Sequence, residues 1–355
     1  MRLLMTTDCV GGVWTYSLEL VRALQASGHE VVVAAMGGTP TQAQRSEVDA
    51  ARPHAFEARP YRVEWMQDAW ADVDAAGAWL LELASGHDVD LVHLNGYAHA
   101  TLPWTRPTLV VAHSDVVTWW RAVKRADPPA TWNRYRTIVA DGLAAADVVV
   151  TPTRAMLDEL ARAYGRPRPS LVIHNGRSWE PRSDAAKEPV VAAVGRVWDE
   201  AKNIAIAAQA AHDLPWPLLV AGDGQIAGAT CLGRIPTNEV AQLFGRASIF
   251  VEPARYEPFG LAALEAGLAG CALVLGDIPS LREVWNDAAT FVAPDDTEAL
   301  AAVLRDLIDD PNRLAHLQRA ARERAARYSV GAMASAYEDI YRQMLGVPVS
   351  IGAAE

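Results

Sequence analysis

What most narrows the folds open to this chain is a rhythm of short apolar runs alternating with stretches of helical period, met once in each half of the sequence. The first half opens with an apolar run at residues 3–5, a glycine pair, a helical run over 13–26 closed by Gly28, and a second apolar run at 31–35. That is the pattern of a βαβ unit, with the glycine ending the helix. Strand-like runs follow at 90–95, 108–113, 147–151 and 170–174, with helical segments over 69–85, 132–145 and 154–164. Strands alternating with helices predict a parallel sheet covered on both faces. Between Asn175 and Pro189 the pattern breaks into a polar, proline-containing stretch before a new strand at 190–194. The rhythm then resumes: a helix after Lys202, strands at 218–221 and 230–232, a helix from Thr237, a strand at 248–251, a helix from Gly260 and a strand at 272–275. Helical stretches from Thr297, Asn312 and Val330 end the chain.

At 355 residues the chain is longer than a single core usually grows. The expected organisation is an N-terminal Rossmann-like domain over 1–177, a linker over 178–189, a second Rossmann-like domain over 190–329, and a closing helix over 330–346. The closing helix has the amphipathic pattern to pack back on the first domain. With 51% hydrophobic and 21% charged residues, the chain has neither the charge excess of a disordered segment nor an apolar run long enough to span a bilayer. Stable membrane insertion is not expected. Residues 1–8 lack the apolar core and cleavage site of a secretory leader, so the expected location is the cytoplasm. Cys9, Cys231 and Cys271 are far apart and have no metal-ligand spacing, as buried thiols in a reducing compartment would. A net charge of −11 argues against nucleic acid as the main partner, because phosphate binding needs basic patches. Lysine is scarce: only Lys124, Lys187 and Lys202 occur.

The segment from Glu257 to Glu265 carries the most chemistry. It follows an apolar strand, reads Glu-Pro-Phe-Gly-Leu-Ala-Ala-Leu-Glu, and runs from a loop into a helix. A helix start offers unpaired amides and a positive dipole end, so the amides near Phe259, Gly260 and Leu261 suit a diphosphate. Gly260 lets the phosphate come close. Glu257, ahead of the helix, suits sugar hydroxyls, and Glu265, more than a turn inside, suits a ribose. An isolated pair of glutamates would read as a loop carboxylate and a solvated helix charge. The intervening Pro-Phe-Gly and the glycine-rich continuation from Ala266 to Val274 favour the site.

This run, with Ile278-Pro-Ser-Leu-Arg-Glu283 and Phe291-Val-Ala-Pro-Asp-Asp296, resembles the C-terminal signature of glycosyltransferase family 4. The resemblance implies an α/β GT-B fold, two Rossmann-like domains facing across a cleft. It also implies a retaining, metal-independent enzyme without a bound cofactor, using a nucleotide-sugar donor, UDP- or GDP-linked. Under it, Arg196 and Lys202 neutralise the donor diphosphate as the glycosidic bond breaks, in line with charge-assisted stabilisation of a leaving group. Gly11 and Gly12 then admit backbone amides to the donor, although two loop glycines alone are more often just a turn. His113, at the end of the strand over 108–112, corresponds to the family's cleft histidine, although a lone histidine at a strand end is usually structural. Gly222, Gly224 and Arg234 fall in loops that would close on the base and ribose; a Gly-x-Gly is also a common turn.

Trp119 and Trp120, placed in a polar loop past His113, offer aromatic faces for an acceptor, with core packing and a membrane interface as the other readings. The acceptor itself, whether a saccharide, a lipid-linked group or a small molecule, is not specified. Asp72 with Asp74, and Asp88 with Asp90, imitate a metal-binding Asp-x-Asp but sit in a helical run and directly before a strand, so no metal site is expected. Two rivals remain open: an epimerase or hydrolase of the same fold, and a nucleotide-sugar-binding subunit without turnover. Pyridoxal phosphate chemistry needs a cofactor lysine, and Lys202 is already assigned.

Overall fold

In the computed structural model, which describes residues 1–178 and 186–347, the chain forms two compact units. Unit 1 comprises Met1–Thr118, Asp127–Gly176 and the C-terminal segment from Val330; unit 2 comprises Trp119–Ala126 and Arg177–Ser329. Each is a fully parallel α/β sheet. The linker expected over 178–189 lies largely outside the described residues. Its C-terminal end is corrected, because the next strand begins at Glu188 rather than 190.

Unit 1 holds β1 (Arg2–Asp8), β2 (Glu30–Met36), β3 (Ala55–Ala58), β4 (Leu91–Leu94), β5 (Thr108–Val111), β6 (Val148–Thr151) and β7 (Ser170–Val172), in the order β3-β2-β1-β4-β5-β6-β7. Successive β1 side chains point to opposite faces. Leu3 and Met5 join Val31 and Val33 in one core layer, while Leu4 joins Val32 and Val92 in the other. The Gly12–Ala26 helix covers the first layer, and so does the closing helix, Val330–Met344, through Met333, Tyr337 and Tyr341. The second layer packs on the Trp70–Gly86 and Asn133–Ala145 helices. Burial of such side chains supplies about 1.5–3 kcal/mol each, which is why strands buried on both faces read as unbroken apolar runs.

Unit 2 holds β8 (Glu188–Val194), β9 (Leu218–Ala221), β10 (Thr230–Gly233), β11 (Ala247–Glu252), β12 (Ala272–Gly276) and β13 (Thr290–Val292), in the order β10-β9-β8-β11-β12-β13. Val191, Ala193, Ile249 and Val251 face one core layer, and Val190, Ala192 and Phe250 the other. In both sheets the strand order reverses once, between β1 and β4 in unit 1 and between β8 and β11 in unit 2. Ligands of open parallel sheets bind at the carboxyl ends of the strands at such reversals.

Candidate active site

In unit 2 the reversal is where the sequence-predicted residues gather. The loop after β8 carries Arg196 and Lys202, and the loop after β11 leads through Glu257 into the Leu261–Leu268 helix. The first loop turns on itself: Asp199 Oδ1 accepts from the Ala201 amide at 3.0 Å, and Asp199 O accepts from the Lys202 amide at 3.0 Å. Arg196 Nη2 donates to Asp199 Oδ2 at 2.6 Å, and its guanidinium lies 5.0 Å from the ring centre of Trp198, an exposed aromatic. Asn203 adopts a left-handed conformation, φ 55°, and its Nδ2 donates to the carbonyls of Pro253 (3.0 Å) and Pro294 (2.6 Å). These bonds tie the loop to the end of β11.

Lys202 Nζ sits between two carboxylates, donating to Glu252 Oε1 at 2.7 Å and to Glu257 Oε2 at 2.5 Å. Burial pulls its pKa down, but the two carboxylates outweigh that and hold the ammonium well above the ordinary lysine range. Glu252, the last residue of β11, is buried; burial pushes its carboxyl up to about 6 against the opposing charge of Lys202. Glu257 also turns back on its own loop, where Oε1 accepts from the Gly260 amide at 2.9 Å and its carbonyl accepts from Ser280 Oγ at 2.5 Å.

The Gly260 amide expected to meet a phosphate is therefore taken by the Glu257 carboxylate. The first-turn amides from Leu261 onward remain without helical partners. Gly260 has φ 91°, a conformation that side chains resist. The Phe259 side chain is in the core, edge-on to Tyr328 at 5.7 Å, so it anchors the loop by packing. Glu265 accepts from Arg177 Nε at 2.6 Å in a pair whose side chains are 12% and 9% exposed.

Gly222 and Gly224 follow β9. A Cβ on Gly222 would lie 1.8 Å from Gly195 O, and one on Gly224 2.8 Å from Val197 Cβ. The absent side chains let the β9 loop pack on the loop that carries Arg196 and Lys202. Arg234 is exposed, beyond β10. Trp119 and Trp120 are corrected: both belong to the Val116–Lys124 helix, half-buried and edge-to-face at 6.0 Å, and not to a loop. The run contains no proline, and the helix-breaking Pro128 and Pro129 come only after its end.

Unit 1 brings a different set together. Gly11, at φ 92°, precedes the Gly12–Ala26 helix at the carboxyl end of β1, and both glycines are exposed. His113 lies two residues past β5 rather than on its strand end, with the Tyr16 ring 4.5 Å away. Asn95 Nδ2 donates to Thr6 O (2.7 Å) and Ser17 Oγ (3.2 Å), which turns Oδ1 toward His113. That oxygen accepts from His113 Nε2 at 2.8 Å, fixing the proton on Nε2. Burial, then the neighbouring His93, lowers His113 to about 3, so its ring is neutral at physiological pH and holds its proton.

Sequence reasoning missed Glu252, Asp199 and Arg177. Glu252 reads as the end of an apolar strand and Arg177 as the edge of a linker; the scarcity of lysine pointed to Lys202 but not to its second partner.

Residues 10–178 match the family model "Glycosyltransferase Family 4", and residues 178–324 match "Glycosyl transferases group 1". The chain belongs to the group 1, family-4 glycosyltransferases. It is thus an enzyme of the glycosyl-transferring class with a GT-B fold. This family-4 chain is 28% identical to glycogen synthase of Mycobacterium tuberculosis (strain ATCC 25618 / H37Rv), over 91% of its own length and 90% of the relative's. It is also 28% identical to alpha-maltose-1-phosphate synthase of Mycolicibacterium smegmatis, over 69% of this chain and 75% of that one. In fold it is similar to sucrose-phosphate synthase from Thermosynechococcus elongatus, with TM-score 0.80 and 20% identity over 98% of this chain and 99% of that one. It is similar too to Anabaena Alr3699/HepE in complex with UDP and glucose, with TM-score 0.74 and 16% identity over 97% and 100%.

Proposed function

We propose that the protein transfers a sugar, with retention and without a metal or other cofactor, from a UDP- or GDP-linked donor to a hydroxyl-bearing acceptor. The observation that carries this reading is the Lys202–Glu257 contact at the strand-order reversal of unit 2, beside a helix start. A cation and first-turn amides together suit a diphosphate, and a partly exposed carboxylate beside them suits sugar hydroxyls. Arg196 and Lys202 would stabilise the charge that builds on the departing diphosphate, where preorganised donors have their largest effect. Glu257 would orient the sugar; no nucleophilic role is assigned to it. The UDP and glucose bound by Alr3699/HepE support a nucleotide-sugar donor. No helix among the described residues is long and apolar enough to cross a membrane.

The test is a thermal-shift and hydrolysis screen against UDP, GDP, ADP and TDP sugars, with Lys202→Ala and Glu265→Ala as controls. At about 100-fold excess over Kd, a bound donor adds about 2.7 kcal/mol of stability. A response to one nucleotide class, lost in both variants, is the expected result. Release of free or epimerised sugar with no transfer to any offered acceptor would instead identify a hydrolase or epimerase. Binding without turnover would identify a binding subunit, and no response to any nucleotide would overturn the donor assignment.

A further inference from the structure

The two carboxylates on Lys202 are not equivalent. The side chain of Glu252 is 3% exposed and that of Glu257 is 15% exposed. Glu252 is the last residue of β11, a strand in the middle of the sheet, whereas Glu257 stands in the loop that leads to the helix start. Only Glu257 is placed to meet a ligand. Glu252 Oε2 is buried and has no hydrogen-bond partner among the described residues. A carboxylate oxygen left bare in the interior is costly, and an apolar side chain at this strand end would avoid the cost. Among the described residues, the one polar group to which the Glu252 side chain is hydrogen-bonded is the Lys202 ammonium.

The backbone around this contact is already fixed. The Arg255 amide donates to Ala201 O at 2.9 Å, and Asn203 Nδ2 donates to Pro253 O, so the residues flanking Lys202 are fastened to those following Glu252. The lysine stem runs past Gly195, where an added Cβ would stand 3.3 Å from Lys202 Cγ. The ammonium then chooses between a sealed carboxylate and an accessible one.

We propose that Glu252 is a positioning residue that holds the Lys202 ammonium from the strand end, so that Glu257 exchanges this ammonium for the hydroxyls of a bound sugar while Lys202 stays aimed. The inference rests on the reading of unit 2 as a nucleotide-sugar site. Without Glu252, Glu257 is the remaining carboxylate within reach of Lys202, and the resulting ion pair competes with the sugar. The charged groups facing Glu252 are Lys202, from the loop after β8, and Glu257, from the loop after β11. Protonation of Glu252 therefore moves the ammonium toward Glu257, which makes the arrangement visible by titration.

Two measurements test it on the full chain, with Glu252→Gln and Glu252→Leu. The first needs no ligand: with three lysines in the sequence, the side-chain Nζ resonances are few enough to assign by Lys→Arg replacement. The Lys202 signal is expected to shift with a midpoint near pH 6 in the wild type and to lose that step in Glu252→Gln. A step that persists in Glu252→Gln would overturn the proposal. The second compares the affinity for a nucleotide sugar with that for its bare nucleoside diphosphate. Glu252→Leu is expected to weaken the nucleotide sugar by at least about tenfold, the worth of a hydrogen bond to a charged group. The diphosphate should change much less, and Glu252→Gln, which keeps an acceptor for the ammonium, should recover part of the loss. Equal losses for both ligands would mean a merely structural role and would overturn the proposal. A wild-type protein that binds no nucleotide sugar would sink the transferase reading alone, because the lysine titration still decides the role of Glu252.

Discussion

Replacing Lys202 by methionine, which keeps the stem and removes the charge, tests the energetics of the unit 2 site most directly. Lys202 compensates a carboxylate that is 3% exposed and another that is 15% exposed. Breaking a buried pair by removing one partner costs about 3–5 kcal/mol, because the other charge is left uncompensated. The lysine side chain is itself 21% exposed, so solvent screens part of the loss and the lower end, about 3 kcal/mol, is the figure to expect. In a domain of this size that lowers the melting temperature by about 6–12 °C. Adding Glu252→Met to Lys202→Met removes the stranded charge and should restore at least half of the loss, a strongly non-additive pair. Differential scanning calorimetry at pH 7.5 on wild type, both single variants and the double variant closes the cycle. The single variant should also recover partly at pH 5, since Glu252, already raised by burial, then takes up a proton. A Lys202→Met protein as stable as wild type, or a double variant no better than Lys202→Met alone, would refute the idea that Glu252 is held as a buried anion.

Two further outcomes follow from packing and from burial. Gly222→Ala puts a methyl 1.8 Å from Gly195 O, so the backbone must move; we expect a loss of about 1–3 kcal/mol together with weaker donor binding, because the displaced loop carries Arg196 and Lys202, and titration with the donor found in the screen checks it. In unit 1, burial lowers His93 and His113 to about 3 against 6.5, so each adds stability that is present above pH 6.5 and lost as the pH falls below it, by about 1.4 kcal/mol per pH unit. Glu159, raised by burial to about 7, and Glu252 act with the opposite sign, so the quantity to measure is the difference in urea-unfolding stability between wild type and His93→Gln. That difference should change by about 1.4 kcal/mol between pH 6 and 5; a constant difference would contradict the neutral, buried state of His93.

Strands buried on both faces are legible in the sequence because their central residues are apolar: residues 218–221 match β9 to the residue, and the runs at 248–251 and 272–275 match β11 and β12 to within one at each end. The missed strands β3 and β13 are short and largely half-buried, at sheet edges, where composition carries little signal. The Gln42–Ala51 helix leaves little trace in the sequence beyond the capping box of Thr41 and Gln44, because few of its side chains are buried and no apolar stripe announces it. Trp119 and Trp120 read as a loop because the flanking Thr118 and Arg121 interrupt the apolar pattern of the helix. At the site, the types and loops of Arg196, Lys202 and Glu257 could be read from motif and spacing. What could not be read is who holds whom: Lys202 meets Glu252 from 50 positions away, and Arg177 meets Glu265 from 88. Such pairs are set by the tertiary fold and leave no local pattern. Gly222 shows the converse, a glycine read as part of a binding loop whose small size is explained by a backbone approach.

The path of the chain has a consequence for how the molecule is made. The core layer of unit 1 that holds Leu3, Met5, Tyr16 and Leu20 is completed by Met333, Tyr337 and Tyr341. His93 Nδ1 and the Tyr341 hydroxyl lie 2.6 Å apart inside that layer, joining residues 248 positions apart. On a ribosome adding about 5–20 residues per second, the first sheet therefore waits through the synthesis of Arg177–Ser329 before its last helix exists. Unit 2, whose sheet and helices all come from one stretch apart from the short segment Trp119–Ala126, is the part able to finish first. Until then the nascent protein carries an uncovered apolar face, so a chaperone engaged during translation would find it on the domain made earlier, and truncation before Val330 would leave that domain the aggregation-prone one.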